Sequence, residues 1–165
     1  MQGVIAYLKG RGFKPEKIGL FGHSRGAAIG LMAMGRNQDL KAMVADSAYA
    51  NLEQELEYAF SANTGGILPS FCLPGMLVAA SLLQGINVNQ VRPEEAVKGL
   101  KGQPLLLIQG DKDTLVAPDN IYRLKAAAGD AAEMWVIKGA AHTNGPELEP
   151  QAYFSRILAF FEREL

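Results

Sequence analysis

The sequence predicts an α/β fold built on a parallel sheet of about four strands flanked by helices. Four short apolar runs, typical of buried strands, alternate with segments long enough to form helices. Helix-sized connections favour parallel pairing of neighbouring strands. The composition agrees, because 48% of the 165 residues are hydrophobic and can bury one continuous core. The strands are predicted over residues 17–22, 40–45, 104–109 and 133–137.

Helices are predicted from apolar periodicity and from the residues that begin and end them. A short helix over 3–12 ends in a glycine-rich stretch, and Asn51 is expected to cap a helix over 51–60. A proline in the first turn begins another helix over 93–98. Further helices are expected over 27–34, 75–84, 118–128 and 149–163, the last with Tyr153, Ile157, Leu158 and Phe161 on one apolar face.

The chain is expected to form a single domain, residues 1–165, with an insertion over 49–92. Residues 58–91 carry no charged side chain, although charged residues make up 20% of the chain. The most apolar part, 67–83, is interrupted by two prolines and is shorter than the roughly 20 residues that a membrane-spanning helix needs. We therefore expect no membrane span here.

The bulk composition excludes several classes of function. Lysine and arginine number 16 and aspartate and glutamate 17, so no basic surface is expected to attract nucleic acid. With one cysteine and two histidines, the sequence predicts neither a metal site nor a cofactor. Residues 1–9 lack the apolar stretch of a secretory signal, so we expect a cytoplasmic protein unless a further segment precedes Met1.

A glycine-rich turn carries the strongest candidate for chemistry. Its residues Gly22-His-Ser-Arg-Gly26 lie between a predicted strand and a predicted helix. The two glycines of this G-x-S-x-G order would permit a tight turn that lifts Ser24 above the edge of the sheet. A capping role for Ser24 at the start of the helix is the alternative. We favour a nucleophilic serine because of the position between strand and helix.

A serine nucleophile needs a base within hydrogen-bond reach, and the chain has two histidines. His23 adjoins Ser24, and in an extended chain its side chain points the other way. His142 lies in a loop of small residues after the last predicted strand, at the end of the sheet where functional groups collect. We therefore expect His142 to be the base, the alternative being a surface histidine without a role.

Three aspartates are candidates for the acid that would orient the histidine. Asp111 and Asp113 follow the third predicted strand, and Asp46 follows the second. Asp111 has an alternative role as a turn former that bonds its own backbone two residues on. Asp46 has a local alternative role, bonding the backbone around Ser47 and Ala48. These residues by themselves leave the choice among the aspartates open.

Taken together, the segments resemble the α/β-hydrolase family, in particular its dipeptidyl-peptidase and acyl-transferase-like branches. The match is carried by residues 18–28 around the serine, 106–118 around Asp111 and Asp113, and 139–142 around the histidine. The order serine, acid, histidine along the chain is also that of the family. The resemblance implies a partial α/β-hydrolase fold in which residues 49–92 occupy the place of a helical lid or cap.

The resemblance also implies roles for individual residues. The family pattern G-x-x-D, followed by a hydrophobic and proline pair, aligns Asp113 with the acid and Asp111 with a variable position. Ser24 would then be the nucleophile, His142 the base, and the backbone N–H of Arg25 one donor of an oxyanion hole. This set implies a serine hydrolase that cleaves an ester, thioester or amide bond of a small molecule or peptide through an acyl-enzyme.

The uncharged insertion suggests the kind of substrate such an enzyme would take. Residues 67–83 would line the acyl side of the pocket, which favours an apolar or small uncharged substrate over a charged one. The alternative function is a catalytically weak or inactive fragment of the hydrolase fold that uses its uncharged segment as an interaction module.

The sequence departs from the family pattern at its beginning. Family members have several strands before the serine strand, and a loop among them supplies the second oxyanion donor, whereas only residues 1–16 precede that strand here. We therefore expect the serine strand at an edge of the sheet, where unpaired backbone groups favour self-association. Truncation, completion by a partner and degeneration would each explain the departure, and we favour truncation.

Overall fold

The computed structural model describes residues 2–64, 72–85 and 87–165, and within them four parallel strands alternate with helices as predicted. The strands are β1 (Gly19–His23), β2 (Ala42–Asp46), β3 (Leu105–Gly110) and β4 (Ala132–Ile137). The helices are α1 (Gln2–Gly10), α2 (Ser24–Met34), α3 (Leu52–Thr64), α4 (Cys72–Gln84), α5 (Pro93–Val97), α6 (Asn120–Ala128), α7 (Gly145–Leu148) and α8 (Pro150–Glu164).

The strands lie side by side in the order in which they occur along the chain. β1 pairs with β2, β2 with β3 and β3 with β4, and every pair is parallel. The register aligns His23 with Asp46 and Asp46 with Ile108. The first two strands end level, β3 continues two residues further to Gly110, and the loops that follow the three strands open at one edge of the sheet.

Helices cover both faces of the sheet, and alternate residues of each strand contribute to two apolar clusters. Met43 and Ala45 of β2 face the cluster formed with α1, α2, α5 and α6, while Ala42 and Val44 face the cluster formed with α8. Every residue of β2 and β3 is buried, whereas β1 is only partly covered. Within the described residues β1 pairs with β2 alone, so the expected edge position of the serine strand is confirmed.

The closing helix differs from the prediction in which side chains it buries. Tyr153, Ile157 and Phe160 of α8 are buried, whereas Leu158 is 60% exposed. Phe161 is partly buried at the margin of the same cluster. Leu158 was expected on the buried face, but it follows Ile157 directly and is therefore turned about 100° away from it around the helix axis.

The described part of the insertion contains two α-helices, α3 and α4, and a short 3-10 helix over Val88–Gln90. Asn51 caps α3 as predicted, because its Oδ1 accepts the backbone N–H of Glu53 at 3.0 Å and of Gln54 at 3.4 Å. The expected helix over 75–84 lies inside α4, which begins three residues earlier. Residues 67–71 of the predicted acyl-side lining lie outside the described residues. No helix in the described part of the chain is long and apolar enough to cross a membrane.

Candidate active site

Ser24 stands at a sharp turn between β1 and α2. The strand ends at His23, the helix begins at Ser24, and the φ angle of Ser24 is +50°. A side chain with a β-carbon avoids this left-handed region, and residues held in it cluster at functional sites. The turn therefore has the strained geometry expected for a serine lifted above the edge of a sheet.

The two glycines of the turn differ in their steric importance. A β-carbon on Gly22 would lie 2.9 Å from the carbonyl group of Gly26 and from the backbone nitrogen of Ala27. A β-carbon on Gly26 would meet nothing within 4 Å. Within the described residues, the close backbone approach therefore occurs at Gly22 and not at Gly26.

The start of α2 leaves backbone donors near the serine. His23 occupies the N-cap position and makes no side-chain capping bond. The first four N–H groups of a helix have no partner within the helix, and together they form its positive end. Arg25 belongs to this first turn. Its N–H is therefore of the kind that stabilises an oxyanion.

Asp113 is buried, with 2% of its surface exposed, and four donors surround its carboxylate. Its Oδ1 accepts the backbone N–H groups of Leu115 and Val116, each at 2.9 Å. Its Oδ2 contacts Gln109 Nε2 and His142 Nδ1, each at 2.8 Å. These donors fix the orientation of the carboxylate and satisfy its charge inside the protein.

The loops that carry Asp113 and His142 pack backbone against backbone. Lys112 donates its N–H to the carbonyl oxygen of Ala140 at 2.9 Å. A β-carbon on Gly110 would lie only 2.3 Å from that same oxygen. The glycine at the end of β3 thus allows the close approach that brings the aspartate and the imidazole together.

Among the described residues, neither of the other two candidate aspartates makes a hydrogen bond or an ion pair with His142. Asp111 Oδ1 accepts the N–H of Gly139 at 2.6 Å instead of bonding its own backbone two residues on. That local turn is made by Asp113, through its bond to Leu115. Asp46 accepts hydrogen bonds from two side-chain hydroxyls, those of Ser47 and of the distant Tyr153. The partners expected from the sequence were backbone groups around Ser47 and Ala48.

The structure brings Asp113 and His142 into direct contact but does not bond Ser24 to His142. In residues 2–64, 72–85 and 87–165 no hydrogen bond joins the serine hydroxyl to the imidazole. His23 is engaged elsewhere, with its Nδ1 3.3 Å from Asp46 Oδ2 and its ring edge-on to Phe21. Hydrogen bonds between a nucleophile and its base are commonly long in the absence of substrate, and they tighten in the reacting complex.

Glu55 is a buried acidic residue near the site that sequence reasoning missed. It lies on α3 with 7% of its surface exposed, and its Oε1 has no hydrogen-bond partner. Burial raises the pKa of the Glu55 carboxyl; hydrogen bonds from Asn120 and Ala117 oppose this shift, and the negative charge of Asp113 adds to it. A glutamate on an amphipathic helix normally faces water, so the sequence held no signal for its burial.

A groove runs beside the turn that carries Ser24. Its volume is about 670 Å³, and its lining includes Arg25, Ile29 and Met32 of α2 together with Tyr49 and Leu52. The mixture of an apolar wall and a few polar groups is typical of sites for small molecules. Among the described residues, no cluster of histidine, cysteine, aspartate and glutamate side chains has the arrangement of a metal site.

The chain matches a known protein family over its whole length. A family model described as the prolyl oligopeptidase family matches residues 1–165. A comparison with curated proteins found no significant match.

Solved structures of hydrolases share the fold. An esterase of Pyrococcus furiosus is 26% identical over 89% of this chain and 53% of its own, with a TM-score of 0.65. An acylaminoacyl peptidase of Pyrococcus horikoshii is 20% identical over 99% of this chain and 26% of its own, with a TM-score of 0.72. A puromycin-hydrolyzing peptidase of Mycobacterium tuberculosis is 22% identical over 98% of this chain and 24% of its own, with a TM-score of 0.74. The chain thus spans about half of the esterase and about a quarter of each peptidase, and the predicted α/β-hydrolase fold is confirmed.

Proposed function

The chain belongs to the prolyl oligopeptidase family, and on that basis we propose that it is a serine hydrolase with Ser24 as nucleophile, His142 as base and Asp113 as acid. The observation that carries the proposal is the 2.8 Å contact between His142 Nδ1 and Asp113 Oδ2. In the proposed arrangement Nδ1 donates to the carboxylate, which leaves Nε2 as the nitrogen that accepts a proton. The left-handed turn at Ser24 supports the proposal from the other side of the site.

The proposed reaction follows from these roles. Ser24 Oγ attacks the carbonyl carbon of an ester, thioester or amide while His142 Nε2 takes the hydroxyl proton. Asp113 stabilises the imidazolium that forms, and the N–H of Arg25 donates to the oxyanion. The carbonyl re-forms as the leaving group departs with the proton from His142, leaving an acyl-enzyme. Water, activated by the same imidazole, then releases the acid and restores the serine.

We propose an apolar or small uncharged acyl group as the preferred substrate part. The support is the charge-free sequence of residues 58–91 and the apolar wall of the groove beside Arg25. The measurement is hydrolysis of p-nitrophenyl esters that differ in acyl length and charge. We expect faster hydrolysis of uncharged acyl groups, and equal rates for a charged acyl group of similar size would refute the preference.

Covalent labelling tests the nucleophile. A fluorophosphonate should add to one site in the chain, and mass spectrometry of the peptides should locate the adduct on Ser24. The label should vanish in Ser24→Ala and slow by on the order of 10³-fold or more in His142→Ala. Ser155→Ala, which removes an exposed hydroxyl from α8, is the matched control and should react at the parental rate. Persistence of the label in Ser24→Ala would sink the proposal.

A pair of aspartate variants tests the acid. Asp113→Asn should lower the labelling rate by on the order of 10⁴-fold, because an amide stabilises the wrong imidazole tautomer. Asp111→Asn keeps the oxygen that accepts from Gly139 and should stay within about 3-fold of the parent. If Asp111→Asn has the larger effect, the assignment of the acid is wrong.

A second candidate function is an interaction module that retains the fold with little or no catalysis. The observation that favours it is the exposure of large apolar side chains in the first thirty residues. These side chains are Val4, Tyr7, Phe13, Phe21 and Ile29, each at least 41% exposed. Exposed apolar surface of this kind often marks an interface.

A further inference from the structure

We propose that Asp46 is a positioning residue of the site, and that its buried carboxylate ties the turn that carries Ser24 to the loop that carries His142. The role in catalysis rests on the proposed hydrolase function. The contacts themselves do not, so the two can be tested separately.

Asp46 contacts the serine turn through the residue that precedes the serine. It ends β2, the strand beside β1, and only 3% of its surface is exposed. Its Oδ2 lies 3.3 Å from Nδ1 of His23, directly before Ser24. An unpaired buried carboxylate is strongly unfavourable, so Asp46 stabilises the arrangement in which its partners stay in place.

Ser47 extends the contact to the histidine loop. Its hydroxyl donates to Asp46 Oδ1 at 3.0 Å and accepts the backbone N–H of Thr143 at 3.3 Å. Thr143 follows His142 directly. Ser47 is fully buried, and its own N–H donates to the carbonyl oxygen of Ile108 on β3 at 2.9 Å. A continuous path of contacts therefore runs from the neighbour of the proposed nucleophile to the neighbour of the proposed base.

Tyr153 is a third partner of the Asp46 carboxylate and lies on α8, which packs on the face of the sheet lined by Ala42 and Val44. This residue of α8 is fully buried, and its hydroxyl donates to Asp46 Oδ2 at 2.6 Å. Burial raises the pKa of the Tyr153 hydroxyl well above its usual value, and the hydrogen bond to Asp46 and the charge of Asp46 raise it further. The hydroxyl thus remains a neutral donor, and the carboxylate is held from three directions.

Backbone strain lies along the same path. In the described part of the chain the non-glycine residues with positive φ are Ser24, Ser47 and Thr143, at +50°, +54° and +53°. They follow three different strands. Ser47 and Thr143 are part of the path of contacts from Asp46, and Ser24 directly follows His23, which contacts Asp46. Left-handed backbone at such residues persists only where the surroundings hold it. The Asp46 contacts supply those surroundings, so loosening them should displace the reacting groups.

The first test is the rate of fluorophosphonate labelling of Ser24. Asp46→Asn removes the charge and one acceptor oxygen at nearly constant shape, and we expect the rate to fall by on the order of 10- to 100-fold. Asp130→Asn makes the same chemical change at an exposed residue and should label at the parental rate. Ser47→Ala keeps the β-carbon, and with it the strained backbone, but removes the bridging hydroxyl. We expect that variant to slow by roughly 2- to 10-fold.

The second test is spectroscopic and needs no activity. The chain has two histidines, so NMR should resolve two sets of imidazole signals, assigned by the loss of one set in His23→Gln. Asp46→Asn should shift both sets, whereas Ser47→Ala should shift the set of His142 and leave that of His23 in place. A general loss of stability would affect the signals of both imidazole rings and not those of His142 alone. The control Asp130→Asn should shift neither set of signals.

The outcomes distinguish this inference from the proposed function. Parental labelling rates together with unshifted His142 signals in Asp46→Asn and Ser47→Ala would overturn the positioning role while leaving the hydrolase intact. Ring signals that shift as expected in a chain that never labels would reject the hydrolase and retain the contacts. If Asp46→Asn does not fold, Ser47→Ala decides the question by the same two measurements.

Discussion

Ser24 shows how one residue carries a cost that the fold must offset. Its φ of +50° lies in the left-handed region, which costs an L residue with a β-carbon roughly 1–2 kcal/mol. Backbone of this kind persists only where the surrounding structure holds it in place.

This cost predicts a reversal of the usual order of alanine and glycine. At position 24 we expect Ser24→Gly to be more stable than Ser24→Ala by about 1 kcal/mol, because glycine adopts positive φ without strain. In the middle of α8 the order should reverse, with Ser155→Gly less stable than Ser155→Ala by about 1 kcal/mol. Urea unfolding of the four variants measures both differences. The same order at both positions would show that the turn at residue 24 is unstrained.

At the scale of an element, the turn between β1 and α2 depends on one glycine. Gly22→Ala should destabilise the protein and slow labelling of Ser24, because the new β-carbon would collide with backbone atoms of Gly26 and Ala27. Gly26→Ala has open space and lies in a helix, so we expect it to stabilise the protein by up to about 1 kcal/mol. Thermal unfolding and labelling rates compare the two, and equal losses in both would contradict the steric explanation.

Helix α3 contains a carboxyl group whose burial should make stability depend on pH. The raised pKa of Glu55 means that the folded state holds the proton more tightly than the unfolded chain does. Its contribution to stability is complete below the ordinary carboxyl pKa and is lost as the pH rises through the folded value. Glu55→Gln cannot ionise. The unfolding free energy of this variant relative to the parent should therefore rise with pH across that window.

The measurement is urea unfolding of the parent and of Glu55→Gln at several pH values from about 4 to about 8. Glu57→Gln, at an exposed residue two positions along the same helix, serves as the matched control. Its difference from the parent should change little with pH. A pH dependence of the same slope in both variants would mean that burial of Glu55 is not the cause.

At the scale of the whole molecule, β1 leaves one side of the sheet unpaired in the described residues. An unpaired strand edge is a template for pairing with another chain. Phe21 on this strand is 41% exposed, in contrast to the buried side chains of β2 and β3. Self-association through this edge is therefore the expected behaviour of the chain at high concentration.

Light scattering tests this expectation. The mass of the parent should rise above 17.7 kDa with concentration. Phe21→Lys should remain at the monomer mass over a wider range, because lysine on an edge strand disfavours pairing. Leu158→Lys makes the same change at an exposed apolar residue of α8 and should behave as the parent does. A strictly monomeric parent would remove the edge as an interface.

The sequence by itself determined the α/β alternation, the parallel sheet and the position of the serine turn between β1 and α2. It did so because apolar runs, glycines and helix caps act locally, within a few residues of one another. The choice of Asp113 over Asp111 as the candidate acid needed the family pattern in addition, because no local feature of the sequence separates the two aspartates.

Tertiary structure alone decided which distant groups meet. The bond of Tyr153 to Asp46 spans 107 residues, and the bridge from Ser47 to Thr143 spans 96. Such contacts depend on strand order and register, because these bring the loop ends to one edge of the sheet, and a single sequence carries no periodic signal for them. The same holds for Glu55 of α3, whose Oε2 accepts a hydrogen bond from Asn120 Nδ2 of α6 at 3.0 Å.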